Sequence, residues 1–445
     1  MLFLRGMMPR LNLPVPVAIA LLYILFVFPV MGMAYYELRS RRARARTPKG
    51  CRKLGLHDGH SNLHDEHEYS PDGLKPGQKN NNEKPTPRIK ALIAYPIKSC
   101  RGIEFNFTHF KDSGLAWDRR FCFAEYTDDD NSNDDGKSGH WDAKTLRNGT
   151  YSRLALIRPE IWLPDPSSPT YDKRLHSVKS DGVLLIFYPR DTSRLPPWTR
   201  LGIQLGLLES EEWFSIPLNP PAADSSEYPL EELRLFSIPT RATRYATHVP
   251  AALAEFLGSK KPLGLFRVHP EHVRVAVGNA PSERELGYVP DKAFSDEYPL
   301  QMQSMGSLRE MHGRTKYAIP QLSVRRFRPN VVLEGVRAYE EDAWKMIRFV
   351  PGDGDKDEEK EDGDGVDVHV CCRTVRCKLP NVDPDTGERH AVEPDKTLRG
   401  TRVIDAGAKG GCLGMMLVPS RPDFKISVGD EVRVVSTGEH FYKRV

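Results

Sequence analysis

Hydrophobic and polar positions divide the chain into three unlike stretches. Residues 11–36 hold no charged side chain over 26 positions, and a membrane span needs about 20 apolar residues. Pro14 and Pro16 fall in or before its first turn, where proline is tolerated, and Pro29 is expected to kink the far end. Residues 39–87 are basic at first, then rich in His, Asp and Asn with scattered Pro and Gly. His57, His60, His64 and His67 recur at intervals of three and four, as on one helical face, yet a composition this polar predicts a disordered linker. From Ile89 onward short β-type runs recur at 89–97, 120–126, 183–188, 273–277, 330–333, 346–350, 368–372 and 431–435. Helical signals are fewer: 251–257, 304–312, and 211–214, the last too short to carry weight. Many short strands between Gly, Pro and Asp turns predict a mainly β fold with some α (α+β), built on barrels.

Two acidic insertions, 128–135 and 353–367, interrupt this pattern, and the proline-rich stretch 189–230 reads as a long excursion. The second insertion places Asp353, Asp355 and Asp357 as in a calcium loop. It has Glu358 where the sharp turn needs Gly and Asp364 where the bidentate Glu belongs, so a solvated hairpin loop is expected. A chain of 445 residues is too long for one ordinary core and suggests two domains plus extras. The organisation expected is an anchor over 1–38, a linker over 39–87, and domains over 88–262 and 263–445.

Charge is nearly balanced, +4 from 64 basic and 60 acidic residues. No aromatic-interleaved basic stripe appears, so nucleic acid is not an expected partner. Basic residues concentrate instead beside the apolar segment: Arg39, Arg41, Arg42, Arg44, Arg46 and Lys49 follow it, against Arg5 and Arg10 before it. The positive-inside rule then puts the C-terminal body in the cytosol behind a retained signal anchor. A cleaved signal peptide is the rival, with small residues at Gly32-Met33-Ala34. The acceptors Asn106-Phe107-Thr108 and Asn148-Gly149-Thr150 would carry glycans only if the body were lumenal.

Seven cysteines without a regular framework argue for a reducing compartment. The spacing His369-x-Cys371-Cys372-x4-Cys377 invites zinc, but no second knuckle accompanies it. Cys377 has Arg373, Arg376 and Lys378 within five positions, and nearby cations favour the thiolate. The turn residues Asp383-Pro384-Asp385-Thr386-Gly387 follow, which places the thiol at a strand end against a tight turn. Read alone, a cysteine is also commonly a small buried hydrophobe.

Four stretches together resemble one family. Tyr95-Pro96-Ile97-Lys98-Ser99-Cys100-Arg101-Gly102 and Gly114-Leu115-Ala116-Trp117-Asp118-Arg119-Arg120 are similar to elements of the MOSC N-terminal β-barrel domain. Phe327-Arg328-Pro329-Asn330-Val331-Val332 with Glu341-Asp342-Ala343-Trp344, and then the Cys377 run, resemble the MOSC domain. Order and spacing match over about residues 88–445, and the pattern resembles the mitochondrial amidoxime-reducing components and their bacterial counterparts.

The resemblance implies molybdenum cofactor, with Cys377 as the thiolate ligand of the metal and the catalytic centre. It implies Lys98, Ser99 and Arg119 at the cofactor phosphate, Arg328 and Asn330 on the pterin, and Arg376 at the pterin or the sulfur. The implied activity is reduction of small N-hydroxylated compounds, namely amidoximes, hydroxylamines and N-oxides. No dinucleotide fingerprint, haem motif or iron–sulfur cysteine set is present. Electrons would therefore come from separate proteins, by resemblance cytochrome b5 and NADH-cytochrome b5 reductase. The anchor would sit in the mitochondrial outer membrane, with endoplasmic reticulum the alternative.

MOSC domains also end molybdenum cofactor sulfurases, behind an aminotransferase-like domain holding pyridoxal phosphate. The stretch before residue 88 has no room for that domain, so pyridoxal phosphate is not expected. A sulfur-carrier module or a non-catalytic cofactor-binding protein are the alternatives. Glu297-Tyr298 stand where animal relatives carry a cofactor-binding Thr-Ser, so those roles are not carried over. Val375 replaces a serine two positions before the ligand cysteine, and Gly411-Cys412-Leu413-Gly414 matches a late turn only loosely.

Overall fold

A computed structural model describes residues 14–68, 86–128, 139–193, 195–220, 225–236, 238–352 and 365–443. Most of both acidic insertions, including the residues compared with a calcium loop, lies outside these, as does the start of the apolar segment. Val15–Arg46 is one continuous helical stretch, long and apolar enough to cross a membrane, with none of its apolar window buried. Proline does not break it. The turn Tyr23–Val27 is π-helical and runs directly into Phe28–Arg46. A wider turn just before it accommodates the ring and missing N–H of Pro29, and the helical backbone continues through the proline.

The linker expected over 39–87 is not a uniform tether. Cys51–Lys53 is a strand paired with Arg158–Pro164. The histidine-bearing residues after it form turns rather than one helical face. Leu63 is buried with Tyr95, Met305 and Phe327. Asp65 pairs with Lys90 at 2.7 Å, and the Glu66 carboxylate accepts from the Val324 N–H at 3.0 Å. Polar composition hid this order because the contacts are a single apolar anchor plus carboxylates matched to distant donors. Residues 69–85 lie outside the described set.

Mixed α and β structure with barrels is observed, as the pattern predicts. An eight-stranded sheet runs Val331–Glu334, Leu300–Ser304, Cys412–Pro419, Val366–Val375, Trp344–Val350, Glu431–Thr437, Arg88–Ala94, Ile103–Phe105. A further pairing of Val331–Glu334 with Arg88–Ala94 closes seven of these into a ring. A second, closed barrel joins Leu230–Leu235, Ile238–Arg244, Leu263–Val268, Phe121–Asp128 and Gly139–Ala143. A four-stranded sheet carries Cys51–Lys53, Arg158–Pro164, Val183–Pro189 and Glu211–Pro217.

The strand Arg88–Ala94 shows how its sequence fits both faces. Leu92 and Ala94 enter the ring core with Met302, Trp344 and Leu417, whereas Ala91 and Ile93 pack toward the helix Met305–Thr315. Alternation puts successive side chains on opposite faces. A register shift beside Leu333 returns Ile89 to the first face. The segment 88–262 is thus not self-contained in its hydrogen bonding, because its first strand belongs to the sheet of residues 300–437.

Two local expectations are corrected. Glu211–Pro217 is a strand paired with Val183–Pro189, not a helix. Residues 273–277 hold only a bridge from Val275 to Asp291, so the β-branched run there stays outside the sheets. The helices at Ala251–Leu257 and Met305–Thr315 are present, the latter capped by the Ser304 hydroxyl.

Candidate functional site

Lys98, Ser99, Arg119, Arg328, Asn330, Arg376 and Cys377 all line one cleft of about 830 Å³, its open mouth included. Three of them sit in strained backbone: φ is 69° at Ser99, 48° at Arg119 and 54° at Arg328. Non-glycine residues avoid this region, at on the order of 1–3 kcal/mol each, and such residues concentrate at functional sites.

Arg119 and Asn330 hold the back wall together. Arg119 pairs with Asp118, donates from Nη1 to Asn330 Oδ1 at 3.1 Å and from Nη2 to the Arg328 carbonyl at 3.2 Å. The Asn330 amide donates to the Ile93 carbonyl at 3.1 Å and accepts from the Gln301 N–H at 3.2 Å. These two side chains are largely committed to the framework. Their visible work is to fix Arg328 in its left-handed conformation.

Cys377 follows the strand Val366–Val375 and is half-buried. The turn behind it forms as expected: Asp383 Oδ1 accepts from the N–H groups of Asp385 and Thr386, and Gly387 has φ 70°. The cation that touches the sulfur was not legible nearby. Arg147 Nε donates to Cys377 Sγ at 3.2 Å from 230 positions earlier in the chain. Arg373 turns away to Asp405 at 3.2 Å, and Arg376 donates to the carbonyls of Leu413 and Phe327 at 2.8 and 2.9 Å. Cys371 and Cys372 are core residues whose thiols burial pushes up, which disfavours them as ligands.

Arg147 also faces Asp296 at 3.6 Å and lies over the Phe236 ring at 4.4 Å. Burial opposes its charge, but Asp296 and Cys377 outweigh that and raise its pKa. Lys98 is buried, donates to the Phe294 carbonyl at 2.7 Å and pairs with Asp296. Burial draws Lys98 below the ordinary lysine range, an effect that Asp296 counters. Burial works against the Asp296 charge too, yet Lys98 and Arg147 hold this carboxyl well below its usual range. Ser99 Oγ accepts from the Leu146 N–H at 3.2 Å.

The cleft holds more donors than the protein uses. Nη2 of Arg328 and Nη2 of Arg376 are buried without a hydrogen-bond partner, as are Ser295 Oγ, Gln301 Oε1 and Thr374 Oγ1. Burial lowers both arginines to about 10, so they remain cationic at neutral pH. A buried polar group left unsatisfied costs about 1–3 kcal/mol. Two such guanidiniums beside a hydroxyl turn and a thiol fit an anionic, planar, heteroatom-rich ligand with a soft metal. A second, larger cavity of about 1130 Å³, its open mouth included, lies beyond Arg328, which lines both, and is walled by residues 53, 54 and 56–60, Arg101, Glu104 and Arg325. No thiol lines it.

The MOSC domain family model matches residues 290–433, and that of the MOSC N-terminal beta barrel domain matches residues 86–166. Over 321 residues the chain is 32% identical to mitochondrial amidoxime reducing component 2 of Rattus norvegicus, 72% of this chain and 74% of that protein. The chain belongs to the MOSC family. Another relative of this MOSC protein is mitochondrial amidoxime-reducing component 1 of Danio rerio, 27% identical over 44% of the chain and 56% of the relative. A third is molybdenum cofactor sulfurase of Oryza sativa subsp. japonica, 26% identical over 58% of the chain and 26% of the relative. The match thus spans little more than half the length of the Danio rerio protein.

Within this MOSC chain the departures have structural consequences. Glu297 lines the cleft but accepts from the Tyr442 hydroxyl at 2.6 Å. Tyr298 is buried and its hydroxyl accepts from the Asn279 N–H at 2.8 Å. Arg147, Asp296 and Phe236 are among the cleft residues that sequence reasoning missed. Arg147 lies in a loop with no motif, and Phe236 is placed by a hairpin whose strands were not predicted.

Proposed function

We propose that this MOSC protein is a membrane-anchored molybdenum-cofactor reductase of N-hydroxylated compounds. The single observation that carries the reading is that Nη2 of Arg328 and Nη2 of Arg376, both buried and without a partner, belong to the same cleft as the Cys377 sulfur. The family and the names of its relatives agree with it. When bound, the cofactor would supply two-electron redox chemistry for cleaving an N–O bond, the oxygen leaving as water with two electrons from the separate redox proteins and two protons.

The chain's own residues bind, orient and balance charge. Cys377 Sγ is the thiolate ligand, and Arg147 Nε–H offsets its charge from 3.2 Å. Lys98 and Ser99 receive the phosphate at their turn. Arg328 and Arg376 present donor edges to the pterin, while Arg119 and Asn330 keep Arg328 aimed. Phe236 shields the mouth beside Arg147. The helix Val15–Arg46 anchors the chain in the mitochondrial outer membrane with its body cytosolic. There, cytochrome b5 and NADH-cytochrome b5 reductase deliver electrons.

The full chain in detergent tests this. NADH-dependent benzamidoxime reduction should depend on both added redox proteins and disappear in Cys377→Ser. Cofactor bound without turnover would support a non-catalytic cofactor-binding protein instead, and sulfur transfer from a persulfide donor would support a sulfur carrier.

A further inference from the structure

The proline-rich excursion folds into an element that the proposed reaction does not use. Pro197–Gln204 is a helix, and Trp198, Leu201 and the C-cap residue Leu205 fall on one face at i, i+3 and i+7. That face is bare: Trp198 is 74% exposed, Leu201 54% and Leu205 58%. Leu207 and Leu208, in the turn that follows, are exposed as well. Five large apolar side chains concentrated in eleven residues are not the scattered singles that a soluble surface carries.

Their position decides what covers them. The turn is fastened to the end of the apolar helix: Arg42 Nη2 donates to the Leu207 carbonyl at 2.5 Å and Arg46 pairs with Glu209 at 2.7 Å. The Tyr35 hydroxyl lies 2.7 Å from where a Gly206 side chain would begin. Tyr35 belongs to the last turn of the uncharged run, which a spanning helix places at the boundary between acyl chains and headgroups. Whatever depth Tyr35 takes, residues 205–208 share it. Arg39, Arg41 and Arg44 are exposed around the same helix end, and such a basic cluster suits anionic headgroups.

We propose that residues 197–208 form a second membrane contact, an interfacial helix and turn that lie in the headgroup region of an anionic bilayer beside the anchor. Trp198 and the leucines insert shallowly, as amphipathic interfacial helices do. Two points of attachment fix the body's tilt on the membrane, which one helix alone would leave free. The inference rests on the anchor reading above.

The test uses the full chain in vesicles of phosphatidylcholine and phosphatidylserine with brominated lipids, compared with Trp198→Phe. The Trp198-dependent fluorescence should be quenched by bromine placed near the headgroup end of the acyl chain and lie to the blue. In the double variant Leu201→Glu/Leu205→Glu that quenching should be lost, while flotation with vesicles and thermal unfolding stay unchanged. If the chain floats but Trp198 is reached only by aqueous iodide, the second contact is overturned and the anchor stands. Shielding from both quenchers would mean that protein covers the face, which also overturns it. A chain that does not float overturns the anchor itself.

Discussion

Arg147 turns a lone thiol into part of a charged cluster, and its contribution can be isolated. Its Nε–H to Cys377 and its approach to Asp296 at 3.6 Å tie the sulfur to the Lys98 end of the cleft. A charge-assisted hydrogen bond contributes about 1.5–3 kcal/mol. Arg147→Met should therefore lower cofactor retention about ten- to a hundred-fold, read as bound molybdenum after dialysis. Arg328 behaves in the opposite sense toward stability. Its guanidinium is buried with Nη2 unpartnered and stacks over Tyr95 at 4.1 Å. Arg328→Met should stabilise the cofactor-free chain by on the order of 1 kcal/mol, read as a higher Tm, while cofactor retention falls. A site selected for binding carries that conflict, and calorimetry on cofactor-free chains would expose it.

Among the elements, the turn that leads into Trp344–Val350 makes the clearest pH statement. Glu341 is buried, accepts from the Ser307 hydroxyl at 2.6 Å and is raised by burial to about 7. An acid raised in the folded state contributes stability that is full below its unfolded pKa and lost as pH rises through the folded one. The window here runs from about 4.5 to about 7, for at most about 3 kcal/mol. Glu341→Gln should leave Tm nearly unchanged at pH 4, below the window, and raise it at pH 8; an equal shift at both would refute the assignment. Sequence legibility at this scale depended on partners. Runs with their own β-branched pattern, such as 183–188 and 431–435, were readable. Glu211–Pro217 was not, because its strand identity comes from pairing with Val183–Pro189 rather than from propensity. The packed segment around Leu63 was invisible for the same reason. In the cleft, residues borne on motifs were legible, whereas Arg147, Asp296 and Phe236 are joined to it only by tertiary contact.

For the whole molecule, orientation and loading are the open quantities, and each has a direct readout. Asn106 and Asn148 are both exposed. With the body cytosolic neither should be glycosylated in eukaryotic cells, and a mobility shift on glycosidase treatment would contradict the topology. The central claim is that Cys377 binds molybdenum in the cleft lined by Arg328 and Arg376. X-ray absorption at the molybdenum edge of the purified full chain tests it most directly, with Cys377→Ser alongside. Molybdenum should be present in the parent chain, with one more sulfur neighbour than in the variant. An identical sulfur count in both, or a parent chain without molybdenum, would contradict it.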